Sequence, residues 1–384
     1  MAMRRVEGYA VRGRCPGVLR PMPSGDGLVV RLRPRLARFA ADKALALCDI
    51  ATAHSDGRIA LTNRANLQLR GVREDRLPAL QAALAGLGLL DATPELEGRR
   101  NILVAPDWRA DDDTVRIALD LMARLADLPP LPGKVGFAID AGAAPILQGD
   151  PADFRIERGA AGGLILRADG RATGCALEMG READALVRLA WWFAESGGGA
   201  AGRMARLDAA LPTWAVWNEP PAAPRVRLQP GRHGRDPVLG LAFGQADSRG
   251  LARLIRETRA KALRVTPWRL IVLEGARTLP RSLSPDFVTE PDAPVLRAAA
   301  CAGAPFCPQA SVETRTLARR LAPRVSGSLH VSGCAKGCAR PGLADWVLTG
   351  RQGRFDLVRD GRPGDPPEQS GLTAAAILHR FGAA

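Results

Sequence analysis

A chain of 384 residues, 46% of them hydrophobic, is long enough for two or three domains with cores of their own. Its formal charge of +14 is almost all arginine, since Lys43, Lys134, Lys261 and Lys336 are the only lysines. The arginines are spread along the chain, Tyr9 is the only tyrosine, and no basic-aromatic cluster of the kind that stacks bases occurs. Nucleic acid is therefore a poor match. Arginine-rich composition in general, or a polycarboxylate small molecule held by planar guanidinium forks, accounts better for the charge.

No apolar segment opens the chain and no run reaches about 18 consecutive apolar residues, so the expectation is a cytoplasmic protein without membrane span. Seven cysteines without a regular disulfide framework suit a reducing compartment. Residues 27–33 read as a strand, 39–51 as a helix and 58–71 as a second strand, with Asp56-Gly57 as the turn between. Residues 240–275 repeat that order, with Thr62-Asn63-Arg64 matched by Thr266-Pro267-Trp268-Arg269. Two such half-domains bury their open faces by pairing, which predicts pseudo-twofold symmetry with Arg64 and Arg269 facing a shared cleft. Solvated strand-end arginines are the plainer alternative.

Between the copies, 93–224 reads as a larger α/β segment, with strands in RRNILVAPDW, KVGFAIDAG, 152–157 and 163–167 and a helix over 113–126. Asp111-Asp112-Asp113 is expected to open that helix rather than hold a metal. The run 197–202 satisfies G-x-G-x-x-G but follows a helix instead of a strand, so it predicts a loop and no dinucleotide site. The last segment predicts a helix over 312–321, a strand over 328–332, a hairpin over 346–359 and a closing helix over 373–381.

Four cysteines fall in 300–341, as C-x5-C (Cys301, Cys307) and C-x3-C (Cys334, Cys338). Four thiolates on short Gly- and Pro-rich loops are what a 4Fe-4S cluster needs. A closed zinc shell is the alternative, although its pairs are usually spaced more tightly. Cys15, Cys48 and Cys175 are left over and are expected as small buried hydrophobes. None of the four histidines shows ligand spacing.

CAGAPFCPQA and HVSGCAKGCARPGLAD resemble the cluster-binding signature of the siroheme sulfite and nitrite reductase family, and the element order resembles that family over nearly the whole chain. The resemblance implies an α+β, nitrite/sulfite reductase-like fold. Two ferredoxin-like half-domains paired by pseudo-twofold symmetry would be joined by two α/β domains, the second carrying the 4Fe-4S cluster. The implied divisions are 1–92, a tail and the first half-domain; 93–224, the first α/β domain; 225–290, the second half-domain; and 291–384, the cluster domain.

By resemblance Cys301, Cys307, Cys334 and Cys338 hold the cluster, with Cys338 nearest the macrocycle. LTNRANLQLRG resembles the first macrocycle-facing motif and points to Arg64, Asn66 and Gln68; EGRRNILVAPD resembles the second and points to Arg100 and Asn101. LPGKVGF resembles a strand whose two lysines flank the anion, but only Lys134 is present, and Gly136 in the other position is expected to leave room for a bulkier ring. Arg64, Arg100 and Lys134 are the implied catalytic residues. Arg64, Asn66, Gln68, Arg100, Asn101 and Arg269 are the implied substrate contacts.

Within the family, CPGVLRPMPSGDGL and RVTPWRLIVL are most similar to the branch of aerobic cobalamin biosynthesis. That implies hydroxylation of precorrin-3A by dioxygen and closure of a γ-lactone. Electrons would pass through the cluster from a separate NAD(P)H-dependent reductase or ferredoxin to an enzyme acting as a monomer. The likeness admits a mononuclear non-haem iron whose ligands the sequence does not name. The alternative is an assimilatory sulfite or nitrite reductase with resident siroheme; an electron-transfer or zinc-stabilised binding module is a third reading.

Overall fold

The computed structural model describes residues 4–6, 9–11, 15–24 and 26–383. Residues 1–3, 7–8 and 12–14, on which the expectation of no export signal partly rests, lie outside the described residues. Among the described residues no helix is long and apolar enough to cross a membrane.

The first half-domain contains β1 (Met22–Ser24), β2 (Gly27–Leu32), β3 (Arg38–Ala40), α1 (Ala41–His54), β4 (Arg58–Leu61), β5 (Leu67–Val72) and α2 (Leu77–Gly86). The expected single strand over 58–71 is two strands. Thr62 Oγ1 accepts from the amides of Arg64 and Asn66 at 3.3 and 3.2 Å, and Ala65 turns through φ 51°, reversing the chain. In α1 the buried positions Ala44, Leu47, Cys48 and Ala51 recur every three to four residues.

After the short helix α3 (Pro94–Arg99) comes the first α/β sheet, built from β6 (Ile102–Val104), β7 (Phe137–Asp140), β8 (Phe154–Arg158), β9 (Leu164–Ala168) and β10 (Cys175–Ala176). The order is β10-β9-β8-β7-β6, parallel from β6 to β8 and antiparallel beyond. Helices α4 (Asp113–Ala123) and α5 (Glu182–Phe193) pack on it. Phe137 and Phe154 stack at 5.4 Å, and Phe193 meets Phe154 edge-on at 5.7 Å. Asp112 caps α4 by accepting from the Val115 amide at 3.1 Å, the helix-start role expected of the acidic trio. The glycine run breaks the helix as expected: after a wide turn from Ala194, Gly197 leaves helical geometry at φ 94° before the short helical turn Gly199–Ala201.

The second half-domain repeats the first, with β11 (Gly231–His233), β12 (Asp236–Leu241), β13 (Gln245–Asp247), α6 (Ser248–Thr258), β14 (Ala262–Val265), β15 (Leu270–Glu274) and β16 (Phe287–Val288). The halves exchange strands. β3 pairs with β14 in the second sheet, Arg38 opposite Arg264, while β13 pairs with β4 in the first, Asp247 opposite Arg58. The helix starts reciprocate, with Ala41 N donating to Lys261 O and Ser248 N to Gly57 O, and Thr52 and Ser248 hydroxyls meet at 2.8 Å between α1 and α6.

The strand-linking turn repeats as well. Thr266 Oγ1 accepts from Trp268 N and Leu270 N, and Arg269 takes the left-handed position at φ 62°. The expected match of Arg64 with Arg269 is therefore corrected by one residue: by their hydrogen bonds Thr62 corresponds to Thr266, so Arg64 corresponds to Trp268 and Ala65 to Arg269.

The last sheet runs β17 (Ala298–Ala300), β18 (Leu329–Ser332), β19 (Ala344–Arg351), β20 (Arg354–Gly361) and β21 (Gln369–Leu372), parallel through β19 and antiparallel beyond. Helices α7 (Arg315–Leu321) and α8 (Ala374–Arg380) pack against each other on it. One hydrophobic core joins both half-domains to the first α/β sheet, whereas Leu317, Leu321, Val331, Leu357 and Ile377 belong to a separate core in the last.

Candidate active site

The cysteine loops leave the carboxyl ends of adjacent parallel strands: Cys301 directly follows β17, and Cys334 follows β18 by one residue. Neighbouring strands lie about 4.8 Å apart, so sheet topology brings together residues thirty-three positions apart in sequence. Gly333 N approaches Cys301 Sγ at 3.2 Å. A Cβ on Gly333 would meet Ala310 Cβ at 2.5 Å, so the loops close together only because that position is a glycine.

All four cysteines line one cavity of about 470 Å³, together with Cys15, Met22, Pro23, Arg31, Arg70, Lys134 and Lys336. The opposite wall is the outward face of the first half-sheet, where Arg31 on β2 lies opposite Gln68 on β5. No carboxylate lines the cavity among the described residues. Arg31 Nη2 reaches Gln68 Oε1 at 3.4 Å and its Nε has no partner, whereas Arg70 is tied to Asp26 and Ser24. Cys15 is half-buried at this wall, unlike Cys48 and Cys175, which are core residues; the expectation of three buried cysteines is corrected for Cys15.

Burial raises the Cys334 thiol, and the nearby Cys307 and Cys301 add to it. The Cys338 thiol is likewise raised by desolvation first, although the residue as a whole is exposed, and Cys301, Cys334 and Cys307 push the same way. Thiols held toward the neutral form by burial, as Cys334 and Cys338 are, belong to a donor set that a cationic iron centre would stabilise as thiolates. Among the described residues no three His, Cys, Asp or Glu side chains close on a single metal ion; the thiols are distributed around the cavity.

Arg64 folds back from the strand turn, Nη2 donating to Lys134 O at 2.7 Å, and its buried Nη1 has no partner. A Cβ at Gly136 would lie 2.7 Å from that Nη1 and 2.8 Å from Asn101 Nδ2. The expected free volume at Gly136 is therefore filled, by Arg64 and Asn101. Asn101 holds the same loop through Val135 O at 2.8 Å, and Asn66 is buried at the end of the Thr62 turn.

Arg100 is placed elsewhere. Its Nε and Nη2 bind Asp91 at 2.7 and 2.8 Å, Nη1 donates to Arg33 O, and it lines a different cavity with Leu96 and Leu119. Arg269 donates to Ala298 O and Ala339 O, tying the second half-domain to the loop that follows Cys338. Sequence reasoning missed Arg31, Arg70 and Lys336. The first two were signalled by alternation in GLVVRL and LQLRGV, whose apolar positions point inward.

Residues 20–87 match the model of the nitrite/sulfite reductase ferredoxin-like half domain. A curated Precorrin-3B synthase of Sinorhizobium sp is 33% identical, the match covering 97% of this chain and 88% of that protein. The chain belongs to the precorrin-3B synthase family. A solved structure of the Mycobacterium tuberculosis NirA protein superposes with a TM-score of 0.59 at 18% identity, covering 91% of this chain and 78% of that one. At that identity the likeness is one of fold, and the nitrite/sulfite reductase-like fold expected from the sequence is the fold found. Within the precorrin-3B synthase family, the cavity between the cysteine loops and the first half-sheet is this chain's candidate active site.

Proposed function

We propose that this protein is the oxygen-dependent enzyme of aerobic cobalamin biosynthesis that hydroxylates precorrin-3A and closes its γ-lactone. Family membership supports the pathway. The observation that carries the substrate class is the cavity itself, which presents Arg31, Arg70, Lys134 and Lys336 and, among the described residues, no carboxylate. A precorrin is a macrocycle ringed with acetates and propionates, and charge-assisted bonds from these side chains would fix its edge while Met22, Pro23 and Pro16 cover apolar surface.

Cys301, Cys307, Cys334 and Cys338 would hold a 4Fe-4S cluster, which supplies single electrons delivered by a separate reductase or ferredoxin. The chain's own contribution is positional. Arg31, whose Nε has no partner, orients the substrate carboxylates, Arg64 fixes the Lys134 loop, and Arg269 ties the cluster loop to the half-domains. The proposed domain divisions fall near residues 92, 224 and 290, with β3 and β13 each crossing into the sheet of the other half.

Gly136 argues against the reductase reading. Six-electron reduction of a small oxyanion needs convergent cationic donors, and loss of one such donor typically costs a hundredfold or more in rate. Here the second lysine is absent, and Arg64 stands in its space with Nη2 bonded to the Lys134 carbonyl and Nη1 buried rather than reaching into the cavity. Incubation with precorrin-3A, a reductant and 18O-labelled dioxygen should give a product heavier by one labelled oxygen atom. Rapid sulfite or nitrite reduction with retained siroheme, and no labelled product, would overturn the proposal.

A further inference from the structure

Arg70 lines the cavity beside the cysteines, and Arg315, though not part of the lining, is close enough to feel the charges of Arg58, Arg70 and Cys301. Arg58 on β4 is paired with Asp286 at 3.1 Å, and Arg70 on β5 is held by both oxygens of Asp26 at 3.0 and 3.3 Å. Arg315, the first residue of α7, has no hydrogen-bond or carboxylate partner among the described residues, and its Nε is buried without one. The start of α7 is fixed to the cysteine loop, since Thr314 Oγ1 donates to Cys301 O at 2.8 Å. Burial, with Arg58 and Arg70 adding repulsion, lowers the Arg315 guanidinium to about 10, while Cys301 and Asp56 act in the opposite sense. A half-buried, unpaired cation among other cations is costly unless negative charge faces it. Asp286 and Asp26 are engaged by the other two arginines, which leaves the thiolate side of the cavity and the more distant Asp56 to balance Arg315.

We infer that Arg315 is the counter-charge on the Cys301 side of the cavity and raises the potential at which a cluster held there takes up an electron. The inference rests on the cluster reading proposed above. Reduction adds one electron from the external donor and neither forms nor breaks a bond, so the reduced state carries one more negative charge, which a fixed neighbouring cation favours. Arg315 acts through Cys301 and is a positioning residue for charge; it touches no substrate.

The test is a redox titration of the purified holoprotein, followed by the paramagnetic signal of the reduced cluster, in wild type, Arg315→Gln and Arg315→Lys. At a fixed ambient potential Arg315→Gln should lower the reduced-to-oxidised ratio at least tenfold, a shift of about 59 mV for one electron, and Arg315→Lys should restore most of it. An unchanged ratio in an iron-replete Arg315→Gln protein overturns the assignment. If Arg315→Gln fails to retain iron, retention in Arg315→Lys supports a charge requirement, and loss in both variants replaces it with a packing role. A wild-type protein without iron or visible absorption would sink the cluster reading and this inference together, whereas a brown protein indifferent to Arg315 sinks this inference alone.

Discussion

Arginines that look alike in the sequence do different work according to what surrounds them. Arg100 is 6% exposed and locked to Asp91, so Arg100→Ala leaves a buried carboxylate unpaired and should cost about 3–5 kcal/mol of stability, read by denaturant unfolding. Arg31→Ala should leave stability nearly unchanged and weaken tetrapyrrole binding by about 1.5–3 kcal/mol, read by titration calorimetry. Equal effects of the two on binding would reverse these roles. The gathering of the four cysteines was legible from their short spacings, and they line one cavity. The partner of Arg100 was not, since nothing in the sequence marks Asp91, nine residues earlier, as facing it.

His330 on β18 is fully buried with both ring nitrogens unpartnered, and burial, aided by Arg340 and Arg269, lowers it to about 4. The unfolded chain therefore binds the extra proton between pH 6.5 and 4 while the folded one does not. Stability from neutral His330 is complete above about pH 6.5 and is lost as pH falls toward 4, by about 3 kcal/mol in all. His330→Leu should flatten that part of the stability-against-pH curve and leave stability at pH 7 unchanged or higher, because it removes two unsatisfied buried nitrogens. An unaltered slope would locate the titration elsewhere.

At the scale of elements, the strand-helix-strand repeat was readable from hydrophobic periodicity, but its register and its exchange of strands were not. Periodicity reports which face is buried, not which sheet receives the strand. Three-residue β3 also carries too little pattern to be read as a strand at all. Phe39, its central residue, is buried opposite Leu263 on β14. Phe39→Ala should cost about 3–5 kcal/mol. Hydrogen exchange should then show protection lost in β14 and β15 at least as much as in β2, although Phe39 belongs by sequence to the first half. Loss confined to residues 27–72 would contradict the exchange.

Over the whole molecule, the two half-domains and the first α/β sheet share one core while the last sheet has its own. Under the proposed cluster reading, removal of iron should therefore act locally. Chelation, or Cys334→Ser, should bleach the protein and lower the melting of the last sheet, separating one thermal transition into two, the later one belonging to residues 15–290. A single transition shifted as a unit would mean that Arg269 and its bonds to Ala298 and Ala339 couple the cores more tightly than their separation implies.

The exchanged strands also bear on how the chain emerges from the ribosome. β3 is synthesised early, yet its sheet partner β14 lies more than two hundred residues downstream. At synthesis rates of about 5–20 residues per second, that is a wait of roughly ten to forty seconds. During it the first half-sheet lacks β13 on its edge and α1 lacks α6 to pack against. An unpaired strand and an open apolar helix face are what holding chaperones bind. The nascent chain should be retained by them until residues near 265 have been made.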